Sequence, residues 1–257
     1  MGTALVTGAT AGLGLELAWQ LATARHDLVL VARDGDRLDQ VAGQVRAAAG
    51  VRVEVIAADL SRHEDVARVA ERLSVTGAED GDDRRPVGLL VNNAGFAPAQ
   101  HFVGGDLEVE TAAVDVMVRA VMMLSHAAAE QMVSRGRGAV LNVSSVAALT
   151  AGGSYAAAKA YVRTFTEGLA VELAGTGVTA TVLCPGFTRT EFHDRAGLDT
   201  DVLPDGAWLH ASEVAAHALA DVRRGVVIST PSVRYKAASA VLRAMPRWAV
   251  RAVGHYR

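Results

Sequence analysis

Tyr155 and Lys159, in the run Ser154-Tyr155-Ala156-Ala157-Ala158-Lys159-Ala160, form the chain's clearest chemical pair. On a helix that spacing sets a phenol and an ammonium on one face. Tyrosine titrates near pH ~10, and a fixed cation beside it favours the phenolate. Such a group can exchange a proton with an alcohol or a carbonyl near neutral pH. Ordinary surface neighbours share this spacing, so the pair gains weight only from its company. That company starts at Thr7-Gly8-Ala9-Thr10-Ala11-Gly12-Leu13-Gly14. Glycines placed this way let a strand turn sharply into a helix while the backbone comes close to a pyrophosphate, which the helix N-terminus then faces.

Residues of this kind must be held at strand ends, and the apolar pattern supplies strands. Short β-branched runs at 4–7, 28–32, 51–57, 87–91, 139–143, 178–183 and 226–228 alternate with longer stretches that read as helices. Those helices are expected near 12–23, 36–49, 64–73, 106–134, 154–174 and 212–223. Continuous apolar character within each strand predicts burial on both faces, hence a mostly parallel sheet with helices on each side. The expected fold class is α/β: a single-domain, Rossmann-like, doubly wound sheet over residues 1–257. Two segments interrupt the alternation. Residues 76–86 read as an exposed loop, and 191–210, leaving the carboxyl end of a strand, as a substrate lid or an ordinary surface connection.

Composition narrows the function classes. A formal charge of -3 gives no general basic field for nucleic acid. No uninterrupted apolar run approaches the roughly 18 residues of a membrane span, so no transmembrane segment is expected. Cys184 is the sole cysteine, which excludes an internal disulfide framework. With an apolar strand close to the start rather than a signal peptide, the expected location is the cytoplasm. The eight histidines show no tight ligand spacing and no cysteine cluster accompanies them, so no metal is expected. Cys184 reads as a buried small side chain.

The glycine spacing differs from the usual Gly-x-Gly-x-x-Gly and resembles Thr-Gly-x-x-x-Gly-x-Gly of the short-chain dehydrogenase/reductase family, residue for residue. Asn92-Asn93-Ala94-Gly95, the Tyr155 and Lys159 pair, and Pro185-Gly186-Phe187-Thr188-Arg189-Thr190 resemble three further motifs of that family, in the same order. The match runs from residue 7 to 190, and the C-terminal portion follows the family layout loosely. The resemblance implies a nicotinamide dinucleotide. Its phosphates would lie on Gly8, Thr10, Gly12, Leu13 and Gly14. The adenine would meet Asp59, although Asp59 can equally cap a helix. Leu60, Asn92, Ala94 and Gly95 would also bind the cofactor, and Pro185, Gly186, Thr188 and Thr190 would border its nicotinamide side, with Tyr155 and Lys159. Arg33 stands where NAD-preferring relatives often carry an acid. A guanidinium there can fork onto a 2'-phosphate, which predicts NADP(H), with NAD as the alternative, while Asp34 and Asp36 could blunt that charge.

By the same resemblance Tyr155 exchanges the proton, Lys159 lowers the phenol's pKa and holds the ribose, and Ser145 hydrogen-bonds the developing alkoxide. Ser144 is the competing serine, and capping is the plain reading of both. The implied activity is NADP(H)-dependent interconversion of a ketone and a secondary alcohol on a small, apolar carbonyl or alcohol substrate. Two departures weigh against it. Ser145 stands ten residues before Tyr155, whereas Asn142 occupies the family's usual serine spacing, which implies a shortened loop within 146–153. Met117 replaces an asparagine that positions a water beside the lysine, and a thioether has no N–H to donate. The alternative reading is therefore a dinucleotide-binding regulatory or scaffold protein with impaired catalysis. Phe96, His101, Phe187, Phe192 and Trp208 are expected near substrate, and the family's habit implies a homodimer or homotetramer through the 154–174 helix. The extension 232–257 alternates Arg and Lys with apolar residues and holds no acid. It reads as a helix packed at the sheet edge or an interface, or as a peripheral contact with anionic lipid, kinked at Pro246.

Overall fold

The computed structural model describes residues 2–77, 84–192 and 204–253. Nine strands appear among them: β1 (Thr3–Thr7), β2 (Asp27–Ala32), β3 (Val53–Ala57), β4 (Val87–Asn92), β5 (Gly138–Val143), β6 (Val178–Leu183), β7 (Thr188–Arg189), β8 (Leu209–His210) and β9 (Ile228–Ser229). The α-helices are α1 (Gly12–Thr23), α2 (Gly35–Ala49), α3 (His63–Leu73), α4 (Leu107–Val114), α5 (Ala120–Ser134), α6 (Gly153–Glu172), α7 (Ala211–Arg223), α8 (Val233–Ala244) and α9 (Arg247–Val253). Seven strands form one parallel sheet in the order β3-β2-β1-β4-β5-β6-β9, and β7 pairs with β8 beside it. The order reverses between β1 and β4, which opens a crevice at the carboxyl ends of those strands.

Alternation along each strand builds the two sides. In β2, Leu28 and Leu30 face α1, α2 and α7 through Leu17, Leu21, Val41, Val45 and Val214. Val29 and Val31 face α3 and α5 through Val66, Val69, Leu124 and Met132. Local signals set the helix ends. The Asp34 carboxylate accepts from the Arg37 amide to start α2, and Gly50 ends it in the left-handed region at φ 63°.

The expected 106–134 helix is interrupted. Asp115–Arg119, between α4 and α5, is a π-helical turn, and it carries Met117 inward. Such insertions gather at functional positions. Leu107–Ser134 is long and apolar enough to cross a membrane by length and composition, and half of its most apolar window is buried in the protein. Its inner residues, Leu124, Ala128 and Met132 among them, belong to the core against the sheet. The expected loop 76–86 and the 191–210 connection fall partly outside the described residues, as do His193 and His255.

Candidate active site

The glycine turn leaves β1 with Gly8 at φ 67° and enters α1 with Gly12 at φ 52°, backbone that glycine adopts at no steric cost. A Cβ on Gly14 would stand 2.3 Å from both the Gly8 carbonyl oxygen and Asn93 Nδ2. α1 begins at Ala11 with no side-chain cap and no acid in its first turn. Its leading amides therefore face the crevice mouth, where they suit a phosphate. Across from them stands Thr190, whose Cβ would be 3.1 Å from a Cβ on Gly12.

Asn93, rather than its neighbour Asn92, braces this turn. Asn93 Nδ2 donates to the carbonyls of Thr7 and Gly8 at 3.0 and 3.3 Å, and Thr7 Oγ1 accepts from the amides of Asn93 and Ala94, each at 3.0 Å. Asn92 points inward, where its Nδ2 donates to Ser125 Oγ and to Asn142 Oδ1 at 3.1 and 2.9 Å. Asn142 in turn donates to Thr166 Oγ1 at 3.0 Å. This buried chain of amides and hydroxyls ties β4 to β5 and α6. Asn142, at the family's serine spacing, is therefore a core residue, 0% exposed.

Lys159 lies beneath the crevice. It is 5% exposed, and its Nζ donates to the Val143 carbonyl at 2.9 Å and sits 5.7 Å from the centre of the Tyr155 ring. Burial lowers its pKa from 10.5 to about 8. Tyr155 is half-buried one helical turn earlier. Met117 reaches the same niche: a Cβ on Gly95 would stand 3.3 Å from Met117 Sδ and 3.4 Å from Lys159 Nζ. Ala113, Met117 and Ala158 pack together there against Phe96 and Tyr155.

The two serines divide their tasks. Ser144 is buried and donates to the Lys159 carbonyl at 2.6 Å, fixing the helix turn that carries the lysine. Ser145 is half-exposed, and its Oγ accepts from the Ala147 amide at 3.1 Å to start a 3-10 turn at Val146–Leu149. An accepting hydroxyl still carries its own proton as a donor. The short connection to Tyr155 is thus one 3-10 turn closed by Gly153 at φ 71°. Val146 N donates to the Pro185 carbonyl at 3.0 Å, linking this turn to the Pro185-Gly186 turn.

That second turn has a brace with no signal in the motifs. The Tyr235 ring of α8 lies on Gly186, where any Cβ would be about 2 Å from Cζ, and its hydroxyl accepts from the Phe187 amide at 3.1 Å and donates to the Ala207 carbonyl at 2.7 Å. Phe187 packs on Trp208 with ring centres 5.9 Å apart, and Phe192 on Tyr155 at 5.6 Å. Of the residues expected near substrate, Phe192 and Phe96 pack with Tyr155 and Phe187 and Trp208 pack on each other, while His101 is exposed on the loop after β4. Thr188 is buried, with its hydroxyl on the Gly186 carbonyl at 3.0 Å. Cys184 is 4% exposed, and burial raises its thiol to about 11.

Arg33 is exposed at the end of β2, and Arg37 Nε of α2 donates to the Thr10 carbonyl at 3.0 Å. The Asp34 carboxylate is engaged at the α2 amide. At the end of β3, Asp59 Oδ1 accepts from the Ser61 amide and hydroxyl at 3.0 and 2.8 Å, a turn-forming role, and Leu60 is buried. Arg37 and Tyr235 lie outside the motifs, and Asn93 lies inside one with its bracing role unmarked, because each acts through a contact far away in sequence.

The short chain dehydrogenase family model matches residues 2–200. Galactitol 2-dehydrogenase (L-tagatose-forming) of Cereibacter sphaeroides is 33% identical over 228 residues, covering 84% of this chain and 85% of the relative. Among solved structures, a short-chain dehydrogenase of Sphingobium yanoikuyae in complex with NADPH superposes with a TM-score of 0.82 at 35% identity, covering 95% of this chain and 94% of that one. The bulky-bulky ketone specific alcohol dehydrogenase of Comamonas testosteroni gives a TM-score of 0.79 at 28% identity, over 100% and 99% of the two chains.

Proposed function

Because the chain belongs to the short-chain dehydrogenase family, we propose that it is an NADP(H)-dependent oxidoreductase interconverting a ketone and a secondary alcohol on a small, apolar substrate. The observation that carries this reading is a lysine desolvated under a half-buried tyrosine at the carboxyl ends of the strands. Its charge acts on the phenol above it. The capless start of α1 and the glycine turn before it fit a dinucleotide. When bound, that cofactor supplies the hydride for reduction, or takes it in the reverse direction.

The chain's own residues do the rest. In reduction, the Tyr155 hydroxyl gives its proton to the carbonyl oxygen as that oxygen becomes an alkoxide, and the phenolate left behind is stabilised by Lys159. Ser145, the half-exposed serine, donates to the same oxygen, while buried Ser144 holds the lysine-bearing turn. Gly8, Thr10, Gly12, Leu13 and Gly14 would hold the phosphates. Arg33 would take the 2'-phosphate with Arg37 beside it, a choice to which the NADPH complex of the Sphingobium relative lends support. Asp59 and Leu60 would border the adenine, Ala94 and Gly95 the middle of the cofactor with Asn92 supporting their strand from inside, and Pro185, Gly186, Thr188 and Thr190 its nicotinamide side. Phe96, Phe187, Phe192 and Trp208 give the substrate an apolar wall. In this reading residues 1–257 work as one unit in the cytoplasm, and copies pair through α6, where Val171 is an exposed apolar residue.

Met117 favours a second reading, a dinucleotide-binding regulatory or scaffold protein with impaired catalysis, because its thioether fills the niche between Gly95 and Lys159. Incubating the protein with NADPH or NADH and a panel of bulky ketones, and following absorbance of the reduced cofactor, separates the two. Substrate-dependent oxidation of NADPH supports the enzyme. Binding of NADPH without turnover across the panel supports the regulator.

A further inference from the structure

The redox reading uses only Tyr235 of the C-terminal helices, and their charge sets them apart from the rest of the chain. Residues 222–257 hold eight Lys and Arg and no Asp or Glu, which leaves 17 basic against 28 acidic residues in the first 221. At 3.6 residues per turn, Tyr235, Ser239 and Leu242 share the inner face of α8, and all three are buried or half-buried. The opposite face is Val233, Ala237, Ala240, Val241 and Ala244, and every one of these is exposed. Val233 is 81% and Val241 59% exposed. Lys236 and Arg243 flank this stripe on one side, and Arg234, whose guanidinium donates to the Gly206 carbonyl, on the other. After the break at Pro246, α9 adds exposed Arg247 and a Trp248 that is 69% exposed.

An outward apolar stripe edged by cations, followed by an exposed tryptophan, has the chemistry of a helix lying in a membrane interface. The apolar side chains would enter the acyl boundary, and the long Lys and Arg stems would carry their charges up to the headgroups. A second copy is a poor occupant of the same face, since a two-fold contact would set these cations against themselves. We propose that α8 and α9 form a docking surface for an anionic lipid bilayer, with the crevice side of the fold held close to it through Tyr235.

The test is co-sedimentation of the full chain, at low salt, with vesicles of phosphatidylcholine alone or with phosphatidylserine added. The protein should pellet with the phosphatidylserine vesicles only, and added salt should release it. Lys236→Glu with Arg243→Glu should lower partitioning at least about tenfold, and Val241→Asp should lower it too, with NADPH binding kept in both as the check that the site is intact. Equal pelleting with both vesicles, no pelleting with either, or unchanged pelleting of the charge-reversed variant would overturn the proposal. A shift of oligomeric state in Val241→Asp, read by sedimentation velocity, would assign the stripe to a second copy and overturn it as well.

Discussion

Replacing Lys159 with Met should make the protein more stable at neutral pH and close to inactive. The lysine is charged in the unfolded chain up to 10.5 and in the folded chain only up to about 8, because burial disfavours the ammonium. At roughly 1.4 kcal/mol per pH unit, that difference destabilises the native state by about 3 kcal/mol at any pH below both values. Methionine keeps similar volume without the charge, and it loses a charge-assisted bond to the Val143 carbonyl, worth about 2 kcal/mol. The net gain is therefore about 1 kcal/mol near pH 7. Between about 8 and 10.5 the unfolded chain binds the extra proton, so wild-type stability rises with pH through that window and the advantage of the variant shrinks. Urea unfolding at a series of pH values reads both effects, and turnover with NADPH should fall at least about a hundredfold. A variant less stable than wild type by the same amount at every pH would refute the desolvated cation and the functional reason for keeping it.

Three other substitutions probe the remaining parts. Arg33→Asp should raise the KM for NADPH by about tenfold or more and lower that for NADH, and an unchanged preference in steady-state kinetics would remove Arg33 from the phosphate site. Tyr235→Phe removes the hydroxyl joining Phe187 to Ala207, so it should cost about 1 to 2 kcal/mol in thermal unfolding and raise the nucleotide KM more than it lowers kcat. Met117→Asn should speed single turnover with NADPH and ketones while costing about 1 to 3 kcal/mol of stability for a buried amide, and an unchanged rate would show that Met117 is no handicap.

The motifs were legible in the sequence because each is local: a glycine turn after β1, Asn-Asn-Ala-Gly after β4, serines after β5, and a Tyr and Lys pair spaced for one face of α6. Buried parallel strands were legible from their unbroken apolar runs. What stayed hidden depends on direction and distance. Asn92 and Asn93 are chemically alike, and only the alternation at the end of β4 sends one amide into the core and the other to the glycine turn. Tyr235 meets Phe187 across 48 residues, from a helix beyond the last motif. The π-helical turn at Asp115–Arg119 has no marker such as Pro or Gly, so residues 106–134 read as one unbroken helix.

The most direct measurement is single turnover of Tyr155→Phe with bound NADPH and a ketone that the wild-type protein reduces. If this phenol is the proton donor, the variant binds NADPH as tightly as wild type, and its rate falls by a factor on the order of a hundred to ten thousand. A rate within severalfold of wild type, with the nucleotide equally bound, would contradict the account and move the proton to another group.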